Sequence, residues 1–172
     1  MSLEKNLDQL IIPIIEDLNN KNYDNVIEKC SELLENGNNI SILHNLIGVS
    51  YSFLNENKKA IKSYQAALNL EPNNEEIYRN LGKSFLKIQD LNQAHKSFEQ
   101  SINLKSDNPD GYFNLGLIYL ESENYFKSIE YFKQAIKKNK KFYQAYYNLG
   151  IVLSLVGNID DAIINYKKVI EI

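Results

Sequence analysis

The sequence is poor in the residues that usually advertise chemistry. It has one cysteine, Cys30, so no disulfide forms within the chain and no cysteine knuckle holds a metal. Its two histidines, His44 and His95, lie far apart, and no His/Cys/Asp/Glu group has the spacing of a metal site. The seven glycines are single, which leaves no glycine-rich phosphate loop. Tryptophan and threonine are absent. No run reaches the ~18 apolar residues of a membrane span, and the opening Met-Ser-Leu-Glu-Lys-Asn lacks a signal-peptide core. A cytoplasmic address is therefore expected. Positive charge is not in surplus either, since 19 Lys and Arg face 22 Asp and Glu for a net charge of −3. A general polyanion binder would be basic. The expectation is a chain with no catalytic residues, metal or cofactor, and with no nucleic-acid or membrane partner.

What is present is a period. Tyr112-Phe-Asn-Leu-Gly-Leu-Ile-Tyr119 has a counterpart 34 residues upstream in Tyr78-Arg-Asn-Leu-Gly-Lys-Ser-Phe85. Another lies at His44-Asn-Leu-Ile-Gly-Val-Ser-Tyr51, and a fourth downstream at Tyr146-Tyr-Asn-Leu-Gly-Ile-Val-Leu153. Gly48, Gly82, Gly116 and Gly150 are each 34 apart, with no insertion. A strict period of this length marks a repeat array. With the glycine at the eighth position the registers are 7–40, 41–74, 75–108, 109–142 and 143–172. Hydrophobic content of 44% and charge of 24% suit a folded chain.

Each register holds two helical patterns. His44, Ile47, Gly48 and Tyr51 fall on one helical stripe, and Ala60, Ile61, Tyr64, Ala67 and Leu68 on a second. Pro72 ends that second helix. Asp107-Asn108-Pro109 reads as a helix start, with a capping side chain before a proline tolerated in the first turn. The glycines are expected to let the paired helix approach against the small residues Ala60, Ala94, Ser128 and Ala162.

The typed positions (aromatic, Leu, Gly, aromatic, Ala, aromatic, Ala, Pro) resemble the tetratricopeptide repeat over essentially the whole chain. The resemblance implies one all-α domain over 1–172. Its form would be an α-solenoid of antiparallel helix pairs, about ten helices, wound as a right-handed superhelix. The first register departs from the pattern, with Leu10, Pro13, Ile14 and Asp17 at the typed positions, and reads as a degenerate N-terminal repeat. Pro13 is expected to kink its first helix. At the other end the chain stops at Val169-Ile-Glu-Ile172 without a polar capping helix. Either the polypeptide continues, or Val169 and Ile170 pair with another molecule in self-association.

Residue by residue, His44 occupies an aromatic packing position and His95 the outside of a second helix. Cys30 stands where other repeats carry Tyr64, Phe98, Phe132 and Tyr166, as a small buried hydrophobe. Lys133, Lys137, Lys138, Lys140 and Lys141 form a solvated helix end. In the tetratricopeptide family the first helices line a concave groove. Carried over, the groove positions are Asn45, Arg79, Asn80, Lys83, Phe113, Asn114, Leu117, Tyr147, Asn148 and Ile151. Arg79, Lys83 and Lys87 make a basic stripe, and Asn80, Asn114 and Asn148 a ladder of amides able to donate and accept. That ladder looks like the one in the tetratricopeptide region of protein O-GlcNAc transferases. The family's clamp for chaperone tails is matched at only one or two positions in five. The resemblance thus implies a scaffold that binds an extended peptide of a protein partner. The alternative is a substrate-presenting module of a larger enzyme, such as a protein glycosyltransferase.

Overall fold

The computed structural model describes residues 3–172, with side chains from residue 9 onward. Among these residues there are ten helices and no strand, so the fold is all-α, of the solenoid class built from antiparallel helix pairs. It comprises two compact units, Met1–Asp90 and Leu91–Ile172. The first holds α1 (Leu3–Asn19), α2 (Tyr23–Glu35), α3 (Ser41–Phe53), α4 (Asn57–Leu70) and α5 (Glu75–Lys87). The second holds α6 (Leu91–Leu104), α7 (Pro109–Glu121), α8 (Tyr125–Lys138), α9 (Tyr143–Leu155) and α10 (Ile159–Glu171). In each unit every helix packs on its neighbour in the chain.

The 34-residue period reaches down to single residues. Helices α3, α5, α7 and α9 begin at 41, 75, 109 and 143, and α2, α4, α6, α8 and α10 at 23, 57, 91, 125 and 159. The cause is a turn repeated without variation. Lys21, Asn55, Gln89, Glu123 and Gly157 all have positive φ, between 57° and 80°. In the fourth register Glu123 N donates to Leu120 O at 3.0 Å and Asn124 N to Tyr119 O at 2.8 Å. This crossed pair closes the carbonyls left open at a helix end. The same two bonds recur at Asn55/Glu56, Gln89/Asp90 and Gly157/Asn158. In two registers the residue that completes the turn also caps the next helix, Lys127 N donating to Asn124 Oδ1 and Asp161 N to Asn158 Oδ1, whereas Asn22 and Glu56 make no such side-chain bond. Three residues thus end one helix and start the next.

Other sequence signals land as expected. Asn108 caps α7, accepting from Asp110 N at 3.0 Å, with Pro109 in the first turn. α4 ends at Leu70, before Glu71-Pro72. Pro13 lies inside α1, which runs from Leu3 to Asn19. Cys30 is fully buried in the core of the first unit with Ile14, Val26, Leu43, Leu46 and Ile47.

The glycines admit the paired helix closely, and with more than the small residues expected. A Cβ on Gly48 would lie 2.6 Å from the Tyr64 ring, one on Gly116 2.6 Å from Phe132, and one on Gly150 2.6 Å from Tyr166. Each of these three glycines therefore receives an aromatic ring from the paired helix in addition to any small residue. The small residues play a second part. Ser128, fully buried one turn before Phe132, donates its hydroxyl to Gly116 O at 2.9 Å.

Candidate peptide-binding face

In the first unit the candidate residues lie on α3 and α5. Asn45, half-buried on α3, has a buried Oδ1 with no hydrogen-bond partner within the protein. On α5, Arg79 Nε donates to Glu75 Oε1 one turn earlier, at 3.2 Å. Both side chains are mostly buried, so Arg79 is partly neutralised within its own helix. Lys83 and Lys87 are exposed along the same helix, and Asn80 is half-buried beside Arg79. The basic stripe is thus more weakly positive than three lysine-like charges.

In the second unit the candidates lie on α7 and α9. Asn114 Nδ2 donates to Asp110 O at 2.7 Å, and Asn148 Nδ2 to Gln144 O at 2.8 Å. Both amides are folded back one turn onto their own backbone. The carbonyl oxygen and the second N–H remain as polar functions, which biases these amides towards accepting. Asn114 is only 7% exposed, so Asn148 is the more accessible of the two. Phe113 tilts against Phe132 and Phe142, with ring centroids at 5.7 and 5.1 Å, and is bound into the core cluster, as is Leu117. Tyr147 is 52% exposed, its ring 6.0 Å from that of Tyr166. With Tyr143, Ile151 and Leu155 it forms a stripe with a spacing of four residues along α9, exposed at Tyr143, Tyr147 and Leu155. Tyr143 was outside the sequence-derived set; its spacing of four from Tyr147 is the signal that would have found it.

The two histidines and the cysteine lie away from the candidate residues' hydrogen bonds. His44 Nε2 lies 3.0 Å from Asn39 Oδ1, and burial holds its pKa below the ordinary histidine value. His95 sits half-buried against Tyr119, with Nε2 2.8 Å from the phenol oxygen and Nδ1 3.3 Å from Glu99. Burial pushes the Cys30 thiol up to about 12, which suppresses the reactive thiolate. Among the described residues no group of His, Cys, Asp and Glu could hold a metal. No helix among them is long and apolar enough to cross a membrane.

Helix pairs repeated at 34 residues, closed by the same turn and in three cases wedged by a glycine against an aromatic ring, define a class of tandem helix-pair repeat proteins. The chain belongs to the tetratricopeptide repeat family. Models described as "TPR repeat" match residues 48–89 and 85–122, and models described as "Tetratricopeptide repeat" match 109–142 and 131–164. A search of curated proteins finds no match. Solved structures with the same fold include MamA, 24% identical over 91% of both chains with a TM-score of 0.84. A second is YrrB, described as a TPR protein with an unusual peptide-binding site, 16% identical over 94% of this chain and 84% of that one, TM-score 0.77. A third is Pseudomonas aeruginosa pilF, 19% identical over 95% of this chain and 75% of that one, TM-score 0.86.

Proposed function

We propose that this chain, with registers 7–40 to 143–172 as its repeats, is a non-catalytic scaffold that binds an extended segment of a protein partner on its first helices. The observation that carries the reading is on α9. There the exposed aromatic and aliphatic stripe Tyr143, Tyr147 and Leu155 runs beside Asn148, whose amide is held in a fixed orientation by its own helix. A peptide strand has alternating N–H and C=O groups and side chains. An amide fixed beside an apolar stripe offers one partner for its backbone and one surface for its side chains. Tyr147, Ile151 and Leu117 would take the apolar contacts. The likeness to YrrB supports a peptide ligand as the kind of partner to look for.

The test is selection of peptides from a random displayed library on the whole chain, followed by anisotropy titration of the selected sequences. Tyr147→Ala is expected to weaken them by about 10–100-fold, as an exposed aromatic anchor does. Asn148→Ala is expected to weaken them about tenfold, and Lys96→Glu on α6 to leave them unchanged. Peptides that bind all of these variants equally would remove α9 from the site.

A further inference from the structure

α10 carries an apolar strip that the described residues leave largely open, with only the Tyr166 ring packed on α9, against Gly150 and Tyr147. Ile159, Ile163 and Ile170 are 53%, 46% and 87% exposed, with half-buried Tyr166 between them. Their spacing of four, three and four is that of a two-helix seam. The chain supplies its own reference for this face. One period upstream, Ile136 stands where Ile170 stands and is 9% exposed, packed in the cluster that α9 helps to build. The same helix position is buried where another helix lies on it and bare on α10.

Charge decides which helix fits. Asp160, in the first turn, and Lys167, near the last, each follow a seam residue by one position and are both exposed. Two copies of α10 laid antiparallel bring Ile159 opposite Ile170 and Ile163 opposite Tyr166. Asp160 of each copy then lies beside Lys167 of the other, twice by symmetry. A parallel pairing sets Asp160 against the register position of Leu155 and Lys167 against Ala162 instead, and gains no ion pair. Head-to-tail stacking on α1 fits poorly. Four periods upstream of Ala145, Leu149, Val152 and Leu153, the buried face of α9, stand Gln9, Pro13, Glu16 and Asp17. Asp17 is already engaged by Lys29 at 2.6 Å.

We infer that α10 is a homodimerisation element, taking the α10 of a second copy of this chain antiparallel across Ile159, Ile163, Tyr166 and Ile170, with two reciprocal Asp160–Lys167 pairs. One pair of 13-residue helices buries less than the ~1,200 Å² of a stable complex, so the dissociation constant is expected at about 10–100 µM. The seam adjoins the α9 stripe at Tyr166, whose ring lies 6.0 Å from that of Tyr147. Self-association is measured without a peptide, so its failure is distinct from failure of the peptide reading.

The test is sedimentation equilibrium of the whole chain from about 5 µM to about 1 mM, with circular dichroism to confirm that each variant is folded. The wild type should fit a monomer–dimer equilibrium. Asp160→Lys and Lys167→Asp each place two like-charge contacts in the dimer, and each should weaken self-association about tenfold or more. An equimolar mixture of the two single variants restores both opposite-charge contacts and should form a heterodimer, as should the homodimer of the double variant. A strict monomer at about 1 mM, an open polymer, single variants as tight as wild type, or a mixture that fails to recover would each overturn the inference.

Discussion

Gly116→Ala sets two known effects against each other. In a helix interior alanine is favoured over glycine by about 1 kcal/mol, so propensity alone makes the variant more stable. The structure says otherwise. The new Cβ would stand 2.6 Å from Cδ1 and Cε1 of Phe132 and 3.1 Å from its Cζ. Carbon atoms rest at about 3.5–4.0 Å, so the ring must withdraw by roughly 1 Å. Phe132 is fully buried, with the Phe113 ring on one side, and its near end is anchored by the Ser128 bond to Gly116 O one turn away. Overpacking of such a site costs about 1–3 kcal/mol, which leaves a net loss of about 1 kcal/mol after propensity is subtracted. For a urea slope of about 2 kcal/mol/M the midpoint falls by about 0.5 M. Gly116→Leu should lose about 3 kcal/mol or more. The decisive measurement is a double-mutant cycle with Phe132→Leu, whose smaller side chain vacates part of the ring's space. The two variants should compensate, with a coupling of about 1 kcal/mol. A midpoint that rises in Gly116→Ala, or variants that simply add, would refute the glycine–ring contact as the reason for the glycine.

Two further outcomes are expected. Glu123→Gly, at φ 57°, relieves a left-handed non-glycine residue and should raise stability by about 0.5–1 kcal/mol in thermal melting; a lower melting temperature would count against the turn. Cys30 should resist Ellman's reagent in the native protein and react only as it unfolds, since burial raises its thiol to about 12. Because that folded-state value lies above the unfolded one, its contribution to stability is complete below about pH 8.5. It is lost as pH rises from there towards 12, which alkaline unfolding of Cys30→Ala against wild type would show by a shallower decline.

The repeat was legible because its signals are residue types at fixed spacing: the helix starts at 41, 75, 109 and 143 follow from the glycine period without adjustment. What the sequence hid depends on conformation rather than on type. Lys21, Asn55, Gln89 and Glu123 share one left-handed backbone geometry, yet only Gly157 spells it in the usual residue. Repetition of the crossed hydrogen bonds enforces a conformation that local preference does not announce. The candidate face was similarly half visible. Asn114 and Asn148 carry the consensus amide, but the backbone oxygen four residues earlier claims one of its donors. Arg79 was readable as a cation and not as the partner of Glu75, because an i,i+4 pair on paper does not say whether the side chains meet. Phe113 belongs to the packing of Phe132 and Phe142, a distinction that pattern cannot make between a groove position and a core position on the same helix.

The three-residue turn has a consequence for how such a chain can grow. Every donor and acceptor it uses lies within six residues of itself, from Tyr119 to Asn124 in the fourth register. Between pairs the cap comes from the last residue of the preceding register, where Asn74 accepts from Ile77 N and Asn108 from Asp110 N, and a 34-residue module carries that residue with it. Duplication or loss of one whole 34-residue module therefore creates no unpaired backbone group at either junction, and the length of the array becomes a quantity that recombination can change without redesigning a single helix end.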